Sequence, residues 1–267
     1  MKIKSPTSSL TNLRAATERT NDLFSKLSTG ARITKAADDA TSLAISTRME
    51  SQLGALRGLR QNANEGDSLL QVADSGAEQA QGILSRMREL AVQASNSTRS
   101  DADRANAEVE FAELRKELDS VAETTEFNDR TLLDGAQSFA FQVGDGEGGS
   151  VEVNTDHGVS SANLGVDGSS VATAGDAQAA LDAIDTASER VSETRSQLGA
   201  GSKRLRRASS AADSAIENTV AANSQIRDLD IAEAASAQMR EAILQRSSIA
   251  ILIQANSQPQ AALNLIG

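Results

Sequence analysis

The chain has 267 residues and a formal net charge of −11, and only 2% of its residues are aromatic. Binding to nucleic acid phosphates needs clustered Lys and Arg, so the acidic charge argues against nucleic acid as a main partner. With no Cys and a single His, His157, the chain lacks the residues that most hydrolase and metal chemistries use. We therefore predict no enzyme activity, no catalytic residue, no cofactor and no metal site.

Small and apolar residues recur at alternating steps of three and four along four segments, which predicts long helices that pack as a coiled coil. The first series covers residues 10–27 and is followed by Gly30, a candidate helix C-cap. The second covers residues 69–90 and the third residues 107–125. The fourth keeps its register over residues 205–229.

The stripes on these segments are rich in Ala, Gly and Thr, whose side chains bury little area, so each contact is worth about 1 kcal/mol or less. Helices of this kind need length and several neighbours to be stable. Pro6 and Pro259 are the only prolines, so nothing between them carries the strongest helix breaker. Ser100 and Asp103 stand before the third segment with the spacing of a capping box.

The middle of the chain has a different composition. Residues 136–175 are rich in Gly, and two short runs within them alternate apolar with small or polar residues. This pattern predicts a β-hairpin in which Phe139–Val143 pairs with Val151–Val153. Helical composition resumes near Asp176. We predict a mainly α fold of long antiparallel helices in a coiled-coil rod, with a small β-hairpin region and paired N- and C-terminal helices.

The segment 239–253 is apolar nearly all round, and a helix of that kind must be buried on most sides. Its intramolecular partner is the first stripe, but two helices cannot cover each other's full surface, so other subunits must cover the rest. The alternative is a C-terminal helix docked into a core of its own chain. We predict a polymerisation core formed by eight apolar side chains: Leu10, Leu13, Phe24, Leu27, Met239, Ile243, Ile249 and Ile253.

Neither a membrane span nor a secretory signal is evident in the sequence. No uninterrupted apolar run reaches the roughly 18 residues that a transmembrane helix needs. Residues 1–6 lack the apolar stretch of a cleaved signal peptide. If the protein leaves the cell, we expect it to leave by a route that needs no such signal. The carboxylate pairs Asp38–Asp39 and Asp228–Asp230 are interpreted as capping and salt-bridging groups.

Seven blocks, in the right order and with compatible spacing, resemble the signature of bacterial flagellins, and the resemblance covers most of the chain. The blocks are Leu27–Ile33 with Ala37–Ala40 and Leu43–Ile45, Asn62–Gly66, Arg86–Ser95, Thr125–Asn128 with Leu132–Gly135, Phe141–Gly144, Ile226–Asp230, and Gln254–Asn256 with Pro259 and Leu263.

This resemblance implies a structural subunit that self-assembles into the extracellular filament of the bacterial flagellum and serves motility. Residues 1–39 with 228–267 would form the inner, filament-core domain. Residues 40–227, with the hairpin region 136–175, would form a rod-like outer domain. We expect the variable surface domains of longer family members to be absent, because only about forty residues stand in their place.

Further partners follow from the resemblance. A flagellar export chaperone would bind the C-terminal segment that includes residues 239–253, and cap and hook-junction proteins would contact the assembling subunit. A Toll-like innate immune receptor of a host would read a site at Arg86, Leu90 and Glu110. Leu90 also lies on the second stripe and so fits a core position equally.

Three alternatives to the major filament subunit stay open on the sequence alone. The chain could be a hook–filament junction protein or a minor filament subunit. It could be an enzyme carried on this scaffold, although about forty Gly-rich residues with one His cannot hold a peptidase domain. It could be a coiled-coil adaptor, which would not explain apolar segments at both ends. Gly199 and Gly201 are expected to weaken a long helix.

Overall fold

A computed structural model describes residues 6–144 and 149–266 of the chain, and the side chains of residues 10–144 and 149–254. The described part is mainly α, as predicted, with long helices and a small hairpin. Its helices are α1 (Pro6–Thr29), α2 (Ala40–Ser95), α3 (Asp101–Thr124), α4 (Ser161–Leu164), α5 (Ala174–Arg227) and α6 (Ile231–Ile266). Its strands are β1 (Glu126–Phe127), β2 (Arg130–Thr131), β3 (Gln137–Gln142) and β4 (Ser150–Thr155).

The chain divides into two compact units. The terminal unit takes the two ends of the chain, up to Gly54 and from Glu217 onward, and the middle unit is Ala55–Ile216. Both limits fall inside the long helices α2 and α5. The domain limits expected from the sequence, at 39/40 and 227/228, coincide instead with the first residue of α2 and the last residue of α5.

The middle unit has a continuous hydrophobic core built on one face of α2. Six of the seven positions of the second predicted stripe are buried there, and Leu69 is half-buried. The buried face is wider than that stripe, because Leu70, Ala77 and Leu84 are also fully buried. The reason is that α3, α5 and the hairpin all pack against this part of α2, which covers more than one row of side chains.

The turn from α2 to α3 is held by a capping box and by a buried arginine. The Ser100 Oγ accepts a hydrogen bond from the Asp103 backbone N–H, and the Asp103 carboxylate accepts one from the Ser100 N–H, so the predicted box is confirmed. Arg104, only 7% exposed, donates to the carbonyls of Ala94 (3.0 Å) and Arg99 (2.6 Å). It thereby satisfies carbonyls at and just beyond the end of α2 that the helix leaves unpaired.

The predicted hairpin is confirmed, with longer strands than expected. β3 and β4 pair antiparallel over six residues each, with Phe139 opposite Val153 and Phe141 opposite Val151. Phe139, Val151 and Val153 are buried, whereas Ala140 and the other alternate residues point outward. The alternation places one apolar face of the hairpin on the helices, as a half-buried strand requires.

Side chains of α3 fasten the segment that joins the hairpin to α5. The Asp119 carboxylate accepts hydrogen bonds from the Ser161 N–H (2.7 Å) and Oγ (3.0 Å). Farther along, the Arg115 guanidinium donates to the Asp167 carbonyl at 2.5 Å, and the Glu108 carboxylate accepts the Val171 N–H. These long-range bonds fix an irregular segment that has only the single helical turn of α4.

The two glycines expected to weaken α5 do not interrupt it, and they have different roles. Gly199 is exposed, and a Cβ added there would meet nothing within 4 Å. At Gly201 a Cβ would lie 2.5 Å from Val153 Cγ2 and 3.0 Å from Leu70 Cδ1. Gly201 therefore lets strand β4 and α2 approach α5 closely. On α2, Gly66 likewise lets Phe141 of β3 approach closely, because a Cβ at Gly66 would lie 2.7 Å from the Phe141 ring.

This difference gives a matched pair of substitutions in one helix. We expect Gly199→Ala to raise the free energy of unfolding by up to about 1 kcal/mol through helix propensity. We expect the free energy of unfolding of the Gly201→Ala variant to be about 1–3 kcal/mol lower than that of Gly199→Ala, because the buried, β-branched Val153 cannot turn away from the new methyl group. Urea unfolding followed by far-UV circular dichroism measures both. Equal stabilities of the two variants would contradict the close packing at Gly201.

Candidate functional site

The candidate site is the terminal unit, where the two ends of the chain meet. The backbone N–H of Leu229 donates to the Gly30 carbonyl (3.0 Å), and the N–H of Arg32 donates to the Arg227 carbonyl (2.7 Å). The Arg32 guanidinium adds a bond to the Ile226 carbonyl at 2.6 Å. Gly30 has a φ of +68°, which confirms it as the residue that ends α1. The C-terminal end of α1 is thereby fixed beside the start of α6.

The loop of residues 30–39 is tied together by Asp38. Its carboxylate accepts hydrogen bonds from the Thr34 N–H (3.0 Å) and Oγ (3.1 Å) and from the Lys35 N–H (3.2 Å). Lys26 on α1 lies 3.4 Å away. The Thr34 backbone bond is the largest cause that lowers the pKa of Asp38 from its ordinary 3.8 to about 2. The charged form of Asp38 therefore holds the loop between α1 and α2.

Two further carboxylates cap the helices that leave this junction. Asp39 accepts from the N–H groups of Thr41 and Ser42 (both 3.0 Å) at the start of α2, and its hydrogen bond from the Ser42 side chain is the main cause that lowers its pKa. Asp230 caps α6 by accepting from the Ala232 N–H at 2.9 Å. The capping interpretation of these carboxylates is confirmed.

α1 and α6 are paired, as predicted, but the seam between them is thin. Within residues 10–29 and 231–254, only Ala16 and Ala234 are buried. Two polar contacts also join the helices: the Gln245 side-chain amide donates to Thr17 Oγ1 at 3.2 Å, and Arg19 lies 3.7 Å from Glu241. Within the same residues, no large apolar side chain is fully buried.

Many large apolar side chains of both helices are exposed to solvent. Phe24 is 65% exposed, Met239 71% and Ile243 62%. Of the eight predicted polymerisation residues, two are half-buried, Leu13 and Leu27, and six are exposed: Leu10, Phe24, Met239, Ile243, Ile249 and Ile253. A groove of about 490 Å³ runs along α1 beside Leu13. The first stripe thus lies at the edge of the α1–α6 contact, not at its centre.

Sequence periodicity missed part of this surface. Ile231, Leu244 and Ile251 are also exposed, at 63%, 53% and 58%. Leu244 and Ile251 lie in the apolar segment 239–253 but are not among the eight predicted residues, and Ile231 precedes that segment. The signal that could have found them is the apolar character of α6 on several sides.

The residues predicted for receptor contact lie in the middle unit and differ in their exposure to solvent. Arg86 and Glu110 form an exposed ion pair between α2 and α3 (Nη2 to Oε1, 2.6 Å), and Arg86 also meets Glu89 at 2.9 Å. The hydrogen bond that Arg86 donates to Glu110 is the largest cause that raises the pKa of Arg86. Leu90 is only 4% exposed and belongs to the hydrophobic core.

The described residues hold no group of three or more His, Cys, Asp and Glu side chains placed to bind a metal ion. None of the described helices has the length and apolar character to cross a membrane. His157, the single histidine, is half-buried, and its backbone carbonyl accepts a bond from Thr194 at 3.4 Å.

Comparison with known proteins gave consistent matches. Residues 5–138 match the family model of the bacterial flagellin N-terminal helical region, and residues 181–266 match that of the C-terminal helical region. A flagellin of Halalkalibacterium halodurans is 41% identical, covering 90% of this chain and 89% of that protein. The flagellar filament core protein flaB2 of Brachyspira hyodysenteriae is 35% identical, with 90% of each chain covered. The crystal structure of Bacillus cereus flagellin aligns with a TM-score of 0.51 and 25% identity, over 57% of this chain and 88% of that chain.

The loop held by Asp38 predicts a specific dependence on pH. Because the pKa of Asp38 is lowered on folding to about 2, its stabilising effect is complete above about pH 4 and is lost as the pH falls through about 2. We expect Asp38→Asn to lower the midpoint of thermal unfolding at neutral pH. We also expect this variant to lose less stability than the unmodified chain between about pH 5 and about pH 2.

Far-UV circular dichroism at the two pH values measures both effects. Glu18→Gln removes one exposed carboxylate from α1 and serves as the charge-matched control. If Asp38→Asn and Glu18→Gln gave the same pH dependence, the role assigned to Asp38 would be wrong.

Proposed function

Because the chain belongs to the bacterial flagellin family and is a structural subunit of the flagellar filament, we propose that it polymerises through the exposed apolar surface of α1 and α6. The observation that carries this proposal is the exposure of Phe24, Met239 and Ile243, while alanines are the only fully buried residues within 10–29 and 231–254. Isolated apolar residues on a protein surface are ordinary, but nine large ones on two adjacent helices form an interaction surface.

Burial in a homopolymer would remove these side chains from water, where their exposure in the monomer is unfavourable. A Met or Ile side chain gains about 1.5–3 kcal/mol when it is fully buried rather than exposed. Since each subunit offers such residues on both helices, neighbouring copies can cover each other's surfaces repeatedly. Contacts of this kind are heterologous and open-ended, which is what a helical filament requires.

The charge of the two units supports the same assignment. The terminal unit carries eleven Lys and Arg against ten Asp and Glu, whereas the middle unit carries fifteen against twenty-seven. The whole net negative charge of the chain therefore lies in the middle unit. Copies can crowd together through a nearly neutral segment with little electrostatic repulsion, while the charged unit remains hydrated.

We propose that the inner, filament-core domain consists of residues 1–39 with 228–267, and that the outer domain is 40–227. The limits are supported by the helix breaks at Thr29 and Arg227, where the chain can change direction. The hydrogen bonds from Leu229 to Gly30 and from Arg32 to Arg227 tie both breaks together. The outer domain then has its own packed core and does not depend on neighbours to fold.

We also propose that the protein is exported unfolded, without a cleaved signal peptide, and is extracellular in the filament. An export chaperone would cover residues 239–253, whose exposed apolar side chains need protection before assembly. Cap and hook-junction proteins would receive the subunit through the same surface. A host Toll-like receptor would contact Arg86 and Glu110, with the buried Leu90 supporting α2 from inside.

The assembly surface is tested by substituting two exposed residues of α6. We expect Met239→Gln with Ile243→Gln to raise the critical concentration for filament growth by about 100-fold or more, because two buried apolar contacts are lost. The monomer should keep its far-UV spectrum, since both side chains are exposed and Gln favours helix. Seeded polymerisation viewed by electron microscopy is the measurement.

Val92→Gln with Val109→Gln is the matched control, because both valines are exposed in the middle unit. Normal growth of the Met239/Ile243 variant would refute the assembly surface. A wild-type chain that adds to filament ends but never extends them would indicate a hook–filament junction protein instead.

The receptor contact has its own matched pair. We expect Arg86→Ala to lower the response of receptor-bearing reporter cells to the soluble monomer by about tenfold, since a charged contact is lost. Arg88→Ala removes a similar exposed ion pair, with Asp185 at 2.7 Å, from the same helix and should leave the response unchanged. Equal responses to the two variants would remove Arg86 from the proposed contact.

A further inference from the structure

Met239 is the most exposed of the methionines that the structure describes. It is 71% exposed on α6, whereas Met87 is completely buried in the core of the middle unit and Met49 is half-buried on α2. Met1 lies outside the described residues. The chain has no Cys, so its thioethers are its only sulfur groups. Among the described residues, the sulfur of Met239 is therefore the one that a small solute in water reaches most readily.

The neighbours of Met239 along the helix leave its side chain open to solvent. In an α-helix a long side chain leans toward the N-terminus and lies over the residues three and four positions before it. Those residues are Ser236 and Ala235, which are both small and both exposed. Ile243, one turn farther on, is exposed and continues the apolar surface. Met239 thus offers an accessible thioether within the proposed assembly surface.

An accessible thioether reacts with peroxides. The sulfur lone pair attacks one oxygen of hydrogen peroxide, an S–O bond forms as the O–O bond breaks, and water leaves after a proton passes between the two oxygens. The sulfur is oxidised by two electrons and the peroxide is reduced by two. The product, methionine sulfoxide, is polar where the thioether was apolar. A methionine sulfoxide reductase reverses the change with a dithiol, which becomes a disulfide as water is released.

We infer that Met239 is a reversible oxidation site that controls assembly, an inference that rests on the proposed function. The sulfoxide oxygen is a hydrogen-bond acceptor, and burying it against the apolar side chains of another copy leaves it without a donor. In the free subunit the same oxygen is hydrated, so oxidation leaves the monomer folded and weakens its addition to the filament. Once a subunit has been added, its neighbours cover Met239 and protect it from peroxide.

The first test follows the modification itself. After a short exposure of the free subunit to hydrogen peroxide, peptide-resolved mass spectrometry should find one added oxygen atom at Met239, formed about tenfold or more faster than at the buried Met87. We expect oxidation of Met239 to be about tenfold or more slower in assembled filaments, because the contact excludes the oxidant. Equal rates at Met239 in the free subunit and in the filament would overturn the inference.

The second test measures growth from seeds. Oxidised subunits should have a critical concentration about tenfold or more above that of untreated subunits, with the same far-UV circular dichroism spectrum. Treatment with methionine sulfoxide reductase and dithiothreitol should return the critical concentration to within about twofold of its untreated value. If Met239 were fully oxidised and the critical concentration did not rise, the inference would be wrong.

Two variants assign the effect to one sulfur. Met239→Leu removes the thioether and keeps an apolar side chain, so peroxide should change its critical concentration by no more than about twofold relative to the same variant untreated. Met49→Leu keeps Met239 and should remain as sensitive to peroxide as the unmodified chain. A Met239→Leu variant that still lost growth in peroxide would place the effect at another methionine and overturn the inference. Failure of the unmodified, untreated chain to extend seeds would instead refute the proposed function.

Discussion

The thin seam between α1 and α6 is the constraint on which the terminal unit depends. Within residues 10–29 and 231–254 the two helices fully bury only Ala16 and Ala234, so this pairing gains little from hydrophobic burial, while large side chains such as Phe24 and Met239 are exposed. Burial of apolar area is the dominant favourable term in folding and association. In the proposed function, assembly completes the terminal helices, so that the same residues would serve stability and function.

The middle unit differs from the terminal unit, because it has a continuous hydrophobic core of its own. Its helices are also rich in small residues, yet they close a continuous core because the hairpin adds Phe139, Val151 and Val153. Gly66 and Gly201 let the hairpin and the helices approach closely enough for this to work. Close packing of small residues compensates for the scarcity of aromatic side chains, since interiors are stabilised by many short contacts.

Polar side chains at the helix ends fix the direction in which the chain leaves each helix. Asp38 and Asp39 hold the loop into α2, and Arg104 holds the turn out of it. Each satisfies backbone groups at a helix end, where the helix itself leaves them without partners.

The sequence by itself determined the elements whose signals are local. Heptad spacing, the Gly30 stop, the Ser100 capping box and the alternation in the hairpin are each set by residues within one or two turns of each other. Because of this, the helices, the hairpin and the apolar character of both ends could all be predicted.

Only the tertiary structure decided which side of each helix is covered. Phe24 and Leu27 belong to one stripe, yet Phe24 is exposed and Leu27 half-buried, because exposure depends on where α6 lies. The need for Gly201 and the hydrogen bonds of α3 to residues 161–171 arise from pairs distant in sequence. A periodic pattern carries no information about which distant residue will stand opposite, so packing alone fixed these features.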